Sequence, residues 1–537
     1  GWGVVARTLV VMKPSLARIA GLVAIATLVS KVLGLVREQA IAATFGVGVV
    51  ADAYSYAYVI PGFLLILLGG INGPFHSAIV SVVSKHDEQE AAVIVETVMT
   101  WVTVVLLALA GVMFLGAEPL LRLVAPGLTA TPTGQITQAI ALAQLRIMAP
   151  LAVLAGWIGI GFGVLTARDQ YWLPAISPLF SSLSVLVGLA GLWLGLRERL
   201  WQPETALLGG QVLAASVLAG GVLQWLVQLP PQMRLGIRWG RWRWQWRHPG
   251  VQAVLKVLLP ATFASGMLHI NVYVDLQFAS YIPAAAAALG YANLLVQAPL
   301  GILSNMILVP YLPLFARLSD PQDWPELRQR LRQSLVLVAL VMVPLGILLA
   351  VLALPLVRVI YERYAFDAQA SRLVSSILTA YGVGMFVYLA RDVLVRVFYA
   401  LGDGETPFRL SLVGIGLNAL LDWGLVQVMG APGLALATAG VNLVTFLGLF
   451  VLLHRRLGGL PWRAWLGVLL QITAVSGLGG AVAGILWRWS YPWLGTLGGL
   501  GLAATAGVLV IVAALAYAPV PETQLLWAKI TARLPKA

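Results

Sequence analysis

The chain has 537 residues, is 60% hydrophobic and only 10% charged, and its mean hydropathy is +0.90; a soluble protein carries about 25% charged residues, so a water-soluble globular protein is excluded. It has no cysteine, which removes disulfides, thiolate metal sites and a cysteine nucleophile. The histidines (His76, His86, His248, His269, His454) show no ligand spacing and there is no Walker loop, so neither a zinc enzyme nor an ATPase is expected.

Fourteen apolar stretches are long enough to cross a bilayer, at 16–44, 48–83, 90–116, 136–166, 172–196, 204–228, 251–280, 284–316, 331–354, 371–401, 407–429, 431–453, 464–487 and 492–518. This predicts an all-α polytopic membrane protein of about fourteen transmembrane helices. Several stretches exceed one span, so tilts or breaks are expected, as at Gly69-Gly70 and Pro299. Between Arg7 and Ile19 no short apolar core precedes a small-residue cleavage site, and no cleaved signal peptide is expected. With both termini cytoplasmic, that side carries twenty-one loop Lys and Arg against seven opposite, and six lie within spans. The net charge of +13 therefore follows from topology.

In chain order, the first polar cluster is Lys31, Arg37, Glu38 and Asp52, set in two otherwise apolar segments. A charge at the centre of a membrane helix costs roughly 2.5–3.5 kcal/mol, so such residues face protein or a wet cavity. Lys31, Gly34 and Glu38 share one helix face, flanked by Arg37. Either this is a polar binding cavity or it is a structural ion cluster; spacing leaves both open.

The chain repeats itself. Pro119-Leu-Leu-Arg122-Leu-Val recurs as Pro355-Leu-Val-Arg358-Val-Ile, Ala167–Pro174 corresponds to Ala400–Pro407, and Pro61 to Pro299. Nearly equal offsets in the same order suggest a duplicated six-span unit. An even span count makes the copies parallel, in pseudo-twofold relation about the membrane normal. The expected organisation is a first lobe over 16–230, a cytoplasmic loop over 231–250 and a second lobe over 251–456. Two additional spans over 463–518 and an amphipathic basic tail over 519–537 follow. The loop alternates arginine with tryptophan, Arg238-Trp-Gly-Arg-Trp-Arg-Trp-Gln-Trp-Arg247. Such a pattern can stack on bases, but between two spans on the positive side interfacial anchoring is expected, with no nucleic acid.

In the second lobe, Lys256, His269, Asn271, Asp275 and Asn293 lie in spans 7 and 8. Asp392 and Arg396 are placed to pair at i, i+4, as a structural contact. Asn418 and Asp422 project from one helix face. With Asp275 and Thr438 they form an oxygen set suited to a hard cation, or a hydrogen-bonded core cluster.

Ser-Lys31-Val-Leu-Gly-x-x-Arg37-Glu38, then Phe45-Gly46, Asp52-Ala-Tyr54 and Pro61, resembles the opening of the MurJ (MviN) family. Tyr399-Ala-Leu-Gly-Asp403-Gly-Glu405-Thr-Pro407 is similar to a second signature of that family, and the likeness covers about 16–520. The resemblance implies a flippase moving lipid II, an undecaprenyl-diphosphate-linked peptidoglycan precursor, by alternating access across the bacterial cytoplasmic membrane. Implied partners are lipid II, membrane lipids and cell-wall synthesis proteins. Also implied is sodium as a coupling ion at Asp275, Asn418, Asp422 and Thr438 with the Leu434 carbonyl, and a groove for the lipid tail at the last two spans. There are departures. The family's arginine after the span-2 proline is missing, its nearby glutamate is Asn72, and Tyr-Ala-Asp-Arg is Tyr291-Ala-Asn293-Leu294. Two of three arginines that would grip a diphosphate are thus absent, leaving Arg37 with Lys31, or with Asn72, His76 and Asn293 as neutral donors. A flippase for another lipid-linked oligosaccharide, a cation-coupled drug antiporter and a non-transporting scaffold are the alternative expectations.

Overall fold

The computed structural model describes residues 16–70, 73–267 and 269–517. Asn72, the first fifteen residues and the 519–537 tail lie outside them. Among the described residues the chain is helical, without strands. The first half comprises α1 (Leu16–Phe45), α2 (Val49–Gly69), α3 (Pro74–Val83), α4 (Glu88–Leu115), α5 (Ala117–Val124), α6 (Pro132–Met148), α7 (Leu151–Ala167), α8 (Trp172–Ile176), α9 (Pro178–Leu196), α10 (Ala206–Leu226) and α11 (Leu229–Arg234). The second comprises α12 (Pro249–Met267), α13 (Ile270–Ala279), α14 (Ala285–Arg317), α15 (Trp324–Val351), α16 (Ala353–Tyr361), α17 (Ala368–Ala400), α18 (Glu405–Met429), α19 (Ala431–Arg456) and α20 (Trp462–Tyr517).

Every expected span has a helix or helix pair. By length and apolarity alone, ten of the described helical segments can cross a membrane, or eleven with the bent pair α6 and α7. α20 contains the last two expected spans, divided at Gly495, whose φ of +65° departs from the helix three residues after Pro492.

The halves match in register, and their breaks differ. α5 and α16 both follow a long helix after one residue and begin 236 positions apart. α6 and α17 also begin 236 positions apart, but α6 stops and its path bends by 42° into α7, whereas α17 runs on. Pro150 lies at that bend; it lacks an N–H and its ring crowds the preceding turn. Conversely α2 and α3 are separate, as the Gly69-Gly70 expectation has it, while α14 passes through Pro299 without interruption. That break is corrected: a proline leaves a spanning helix continuous where its neighbours take up the freed backbone groups.

By contact the described residues form two compact units. The first contains those through Ile41 with Ala57–Leu121 and Ala139–His269. Its centre is α7, buried from Leu151 to Leu165 at nearly every position, with α3, α4, α10 and α11 against it. A helix apolar all round belongs in such a place.

The second unit contains Ala42–Tyr56, Arg122–Gln138 and the described residues from Ile270. Its centre is α17, against α14, α15 and α19. Gly346 of α15 and Gly382 of α17 meet so closely that a Cβ on either would lie 2.4–2.7 Å from the other's carbonyl oxygen, the small-residue contact by which membrane helices approach. α20 packs on α15 through Val336, Ala339, Val343, Ile472, Ile511 and Leu515.

Candidate functional site

In the first unit, α1 carries an exposed Lys31, and Ser30 beside it donates its hydroxyl to the Ala175 carbonyl at 3.2 Å. Six residues on, Arg37 donates Nε and Nη2 to one oxygen of Glu38, at 3.1 and 2.6 Å. Both side chains stay partly open, at 30% and 23% exposure. A Cβ on Gly34, between them and Lys31, would meet nothing within 4 Å. The predicted face is therefore open along its length, and Glu38 orients the guanidinium plane. His76 is 7% exposed and its Nε2 lies 3.1 Å from the Thr166 hydroxyl, joining α3 to α7.

Asp52 belongs to the second unit. Its carboxylate accepts the N–H of Ala284 at 3.2 Å and of Ala287 at 3.1 Å, capping α14. Ala284 has φ +66°, which costs an L-residue roughly 1–2 kcal/mol, and the carboxylate holds it there. Around this cap Tyr291 donates to the Gly46 carbonyl at 3.0 Å, and Ala365 N–H to Ala43 at 3.1 Å. Tyr291, Tyr361 and Phe366 stack together, centroids 5.2–5.6 Å apart. Asn293, exposed on α14, lines a cavity of about 360 Å³ with Gln297, Tyr388, Asp392, Thr438 and Asn442. There Asp392 pairs with Arg391, its neighbour, at 2.9 Å, and not in the expected contact with Arg396.

Asp275, Asn418 and Asp422 come together. The Asn418 amide donates to Asp275 Oδ1 at 2.7 Å and to Asp422 Oδ2 at 2.9 Å. Asn418 is 1% exposed and Asp422 0%. The Thr438 hydroxyl, also close to Asp275, donates to the Leu434 carbonyl at 3.1 Å. Asp422 Oδ1 is buried and accepts no hydrogen bond. An orphaned carboxylate oxygen beside a second carboxylate fits a small hard cation, whose ligands are oxygens.

Sequence reasoning did not find the Asp52 cap, because its partners are over 230 positions away, nor Glu96, a carboxylate 1% exposed inside α4. An acidic residue in an apolar run was the available signal.

The sequence profile described as "Lipid II flippase MurJ" matches residues 41–498. The chain belongs to the MurJ family. A "Probable lipid II flippase MurJ" from Synechocystis sp. is 55% identical over 477 residues, 88% of this chain and 89% of the relative. A "Lipid II flippase MurJ" from Burkholderia cenocepacia is 28% identical over 464 residues, 84% of this chain and 86% of that one. Among solved structures, a lipid II flippase MurJ in an inward closed conformation aligns with TM-score 0.75 at 21% identity, over 95% of this chain and 99% of that one. An inward-facing multidrug resistance MATE transporter of the MOP superfamily aligns at 0.59 and 13% identity, over 80% and 94%. The MurJ fold, multi-pass in the membrane, is thus the fold of this chain.

Proposed function

We propose that this MurJ-family protein flips lipid II from the cytoplasmic to the periplasmic leaflet of the bacterial inner membrane by alternating access. The observation that carries the reading is the 55% identity to a probable lipid II flippase along nearly the whole of both chains. Arg37 is the principal diphosphate ligand: its planar fork matches phosphate oxygens, Glu38 sets its plane, and Lys31 adds charge. The aromatic-lined cavity of about 440 Å³ among α15, α17, α19 and α20, bordered by Phe386, Phe446, Phe450 and Trp465, has room for part of the lipid tail. Asp275, Asp422, Asn418, Thr438 and the Leu434 carbonyl would hold sodium, whose single charge would offset one of the two carboxylates. Both termini are cytoplasmic, as the loop charges require; a cysteine at position 240 should then resist membrane-impermeant reagents in intact cells.

The test is rescue of a strain depleted of its own lipid II flippase. Rescue by the wild-type chain and failure of Arg37→Ala at equal folded yield is the expected pair of results. No rescue by a well-expressed wild-type chain would overturn the reading.

A further inference from the structure

The segment between α11 and α12 lies along α4 as an irregular strap with turns at 239–240 and 246–247, and one buried carboxylate fastens it. Glu96 accepts the Arg238 N–H on Oε1 at 2.9 Å and Arg243 Nε on Oε2 at 2.5 Å. One turn further along α4, the Thr100 hydroxyl accepts the Arg243 N–H at 3.0 Å. Trp239 is seated between Trp157 and Trp225, centroids 5.6 and 5.2 Å away, and donates Nε1–H to Gln232 at 3.1 Å. Arg243 turns to Glu96, while Trp242, Trp244 and Trp246 stay 55%, 53% and 51% exposed.

The place of this row on α4 points to what covers it. Trp244 meets Trp101 edge-on at 5.1 Å, and Trp101 lies thirteen residues into α4, about 20 Å along a helix rising about 1.5 Å per residue. Glu88, Glu90 and Glu96 precede Trp101 and 97–115 carries no charge, so the indoles stand where α4 passes from its charged start to its apolar course. Arg234, Arg238, Arg241 and Arg247 are exposed around them, and the Arg247 guanidinium lies 5.0 Å over the Trp246 ring. Indole prefers the headgroup boundary, and guanidinium meets phosphate there.

We propose that the strap is a built site for the headgroup of an anionic phospholipid, shaped by the Glu96 clamp. The site stands independently of the flippase reading. It also makes an unusual prediction. Simple attraction says that neutralising Glu96 makes the region more positive and strengthens anionic-lipid binding. A clamp says the opposite, because without it the indole row and its arginines lose their common orientation.

The chain has no cysteine, so Gln245→Cys carries a single polarity-sensitive fluorophore on the exposed strap. In nanodiscs of zwitterionic phospholipid the emission should be shifted to the blue of its position in water. Anionic phospholipid should shift it further, and salt should reverse that increment. Trp242→Ser with Trp246→Ser should return the emission toward the aqueous position. Glu96→Gln, nearly isosteric, should abolish the response to anionic lipid while the melting temperature in detergent confirms a folded protein; Thr100→Val, which removes only the second tether, should weaken it. An aqueous signal in both nanodiscs would give the strap to a soluble partner and end the proposal. A stronger anionic response in Glu96→Gln would reduce it to unspecific charge.

Discussion

The Lys31–Arg37–Glu38 face and the Asp275–Asn418–Asp422 cluster are both polar islands in membrane helices, and they satisfy their charges in opposite ways. On α1 the opposite charges are sequence neighbours, Arg37 and Glu38 keep about a quarter of their surface open, and Lys31 is exposed. In the second unit two carboxylates share one amide at the heart of the helix packing, and none of the described cations pairs with either. Desolvating a charge costs several kcal/mol unless something compensates it. The first cluster avoids most of that cost by staying wet, which leaves it ready to meet an anion. The second is buried, compensated by the shared Asn418 amide, and the sodium proposed there would supply the rest. On the proposed reading the first region would hold a ligand that comes and goes, and the second a coupling ion.

Arg37 offers the largest expected effect. A hydrogen bond to a charged group contributes about 1.5–3 kcal/mol, so Arg37→Ala should lower lipid II transport at least about ten-fold, and Arg37→Lys, which keeps the charge but not the fork, should still be clearly impaired. Folded yield and flipping are to be measured together for Arg37→Ala, Glu38→Ala and the double variant. A structural pair would instead show reduced yield in each single variant and recovery in the double one.

Asp422 comes next. A cation that binds only the folded state stabilises it by about 2.7 kcal/mol at a hundred times its Kd. Sodium should therefore raise the melting temperature of the wild type, with potassium at equal ionic strength as the control, and Asp422→Asn should not respond. Without sodium, Asp422→Asn should melt higher than the wild type, because one of two neighbouring buried carboxylates is gone. An intact sodium response in the variant would make the cluster ordinary core.

What was legible in the chain divides along the same line. Spans follow from hydropathy because hydropathy is local in sequence, and the matching helix starts 236 positions apart follow motifs that are also local. The Asn418/Asp422 spacing is local too. Asp52 reads as one more charge beside Arg37, yet its carboxylate caps α14. Glu96 gives no hint of Arg243, 147 positions away. Pro150 and Pro299 look alike in sequence, and only the packing around each decides that one breaks a helix and the other does not.

Asp52 supplies the third test. Losing a helix cap costs about 0.5–2 kcal/mol, so Asp52→Ala should lower the melting temperature by an amount at the upper end, since two N–H groups are left bare, and Asp52→Asn by less. A large loss of flipping with an unchanged melting temperature would instead move Asp52 to the substrate.

The smallest effect concerns two connections at a matching offset, α7 to α8 and α17 to α18. Asp169 and Gly402, 233 positions apart, both adopt positive φ, +59° and +75°. Glycine enters that region without cost and aspartate tolerates it. In the first copy the connection is tied by Arg168, whose Nη2 donates to the His86 carbonyl at 3.1 Å. In the second, Asp403 accepts Thr406 N–H at 3.0 Å, the Thr406 hydroxyl at 2.8 Å and Arg456 Nη1 at 2.7 Å. The Thr406 N–H foremost, with its hydroxyl and Arg456, holds the Asp403 carboxyl below the usual carboxylate range. A carboxyl depressed in the folded state stabilises fully above its unfolded pKa, and that contribution disappears as pH falls through the folded value. At neutral pH, Asp403→Asn should therefore melt below the wild type by the equivalent of about 1 kcal/mol or less, since the group is partly solvated. The gap should narrow as pH drops below about 4 and close once Asp403 is protonated. Among the described residues the Asp169 carboxylate accepts the Tyr171 hydroxyl at 3.0 Å. A pH-independent gap for Asp403→Asn would mean that the hydrogen bonds matter and the charge does not, and would make the two connections equivalent after all.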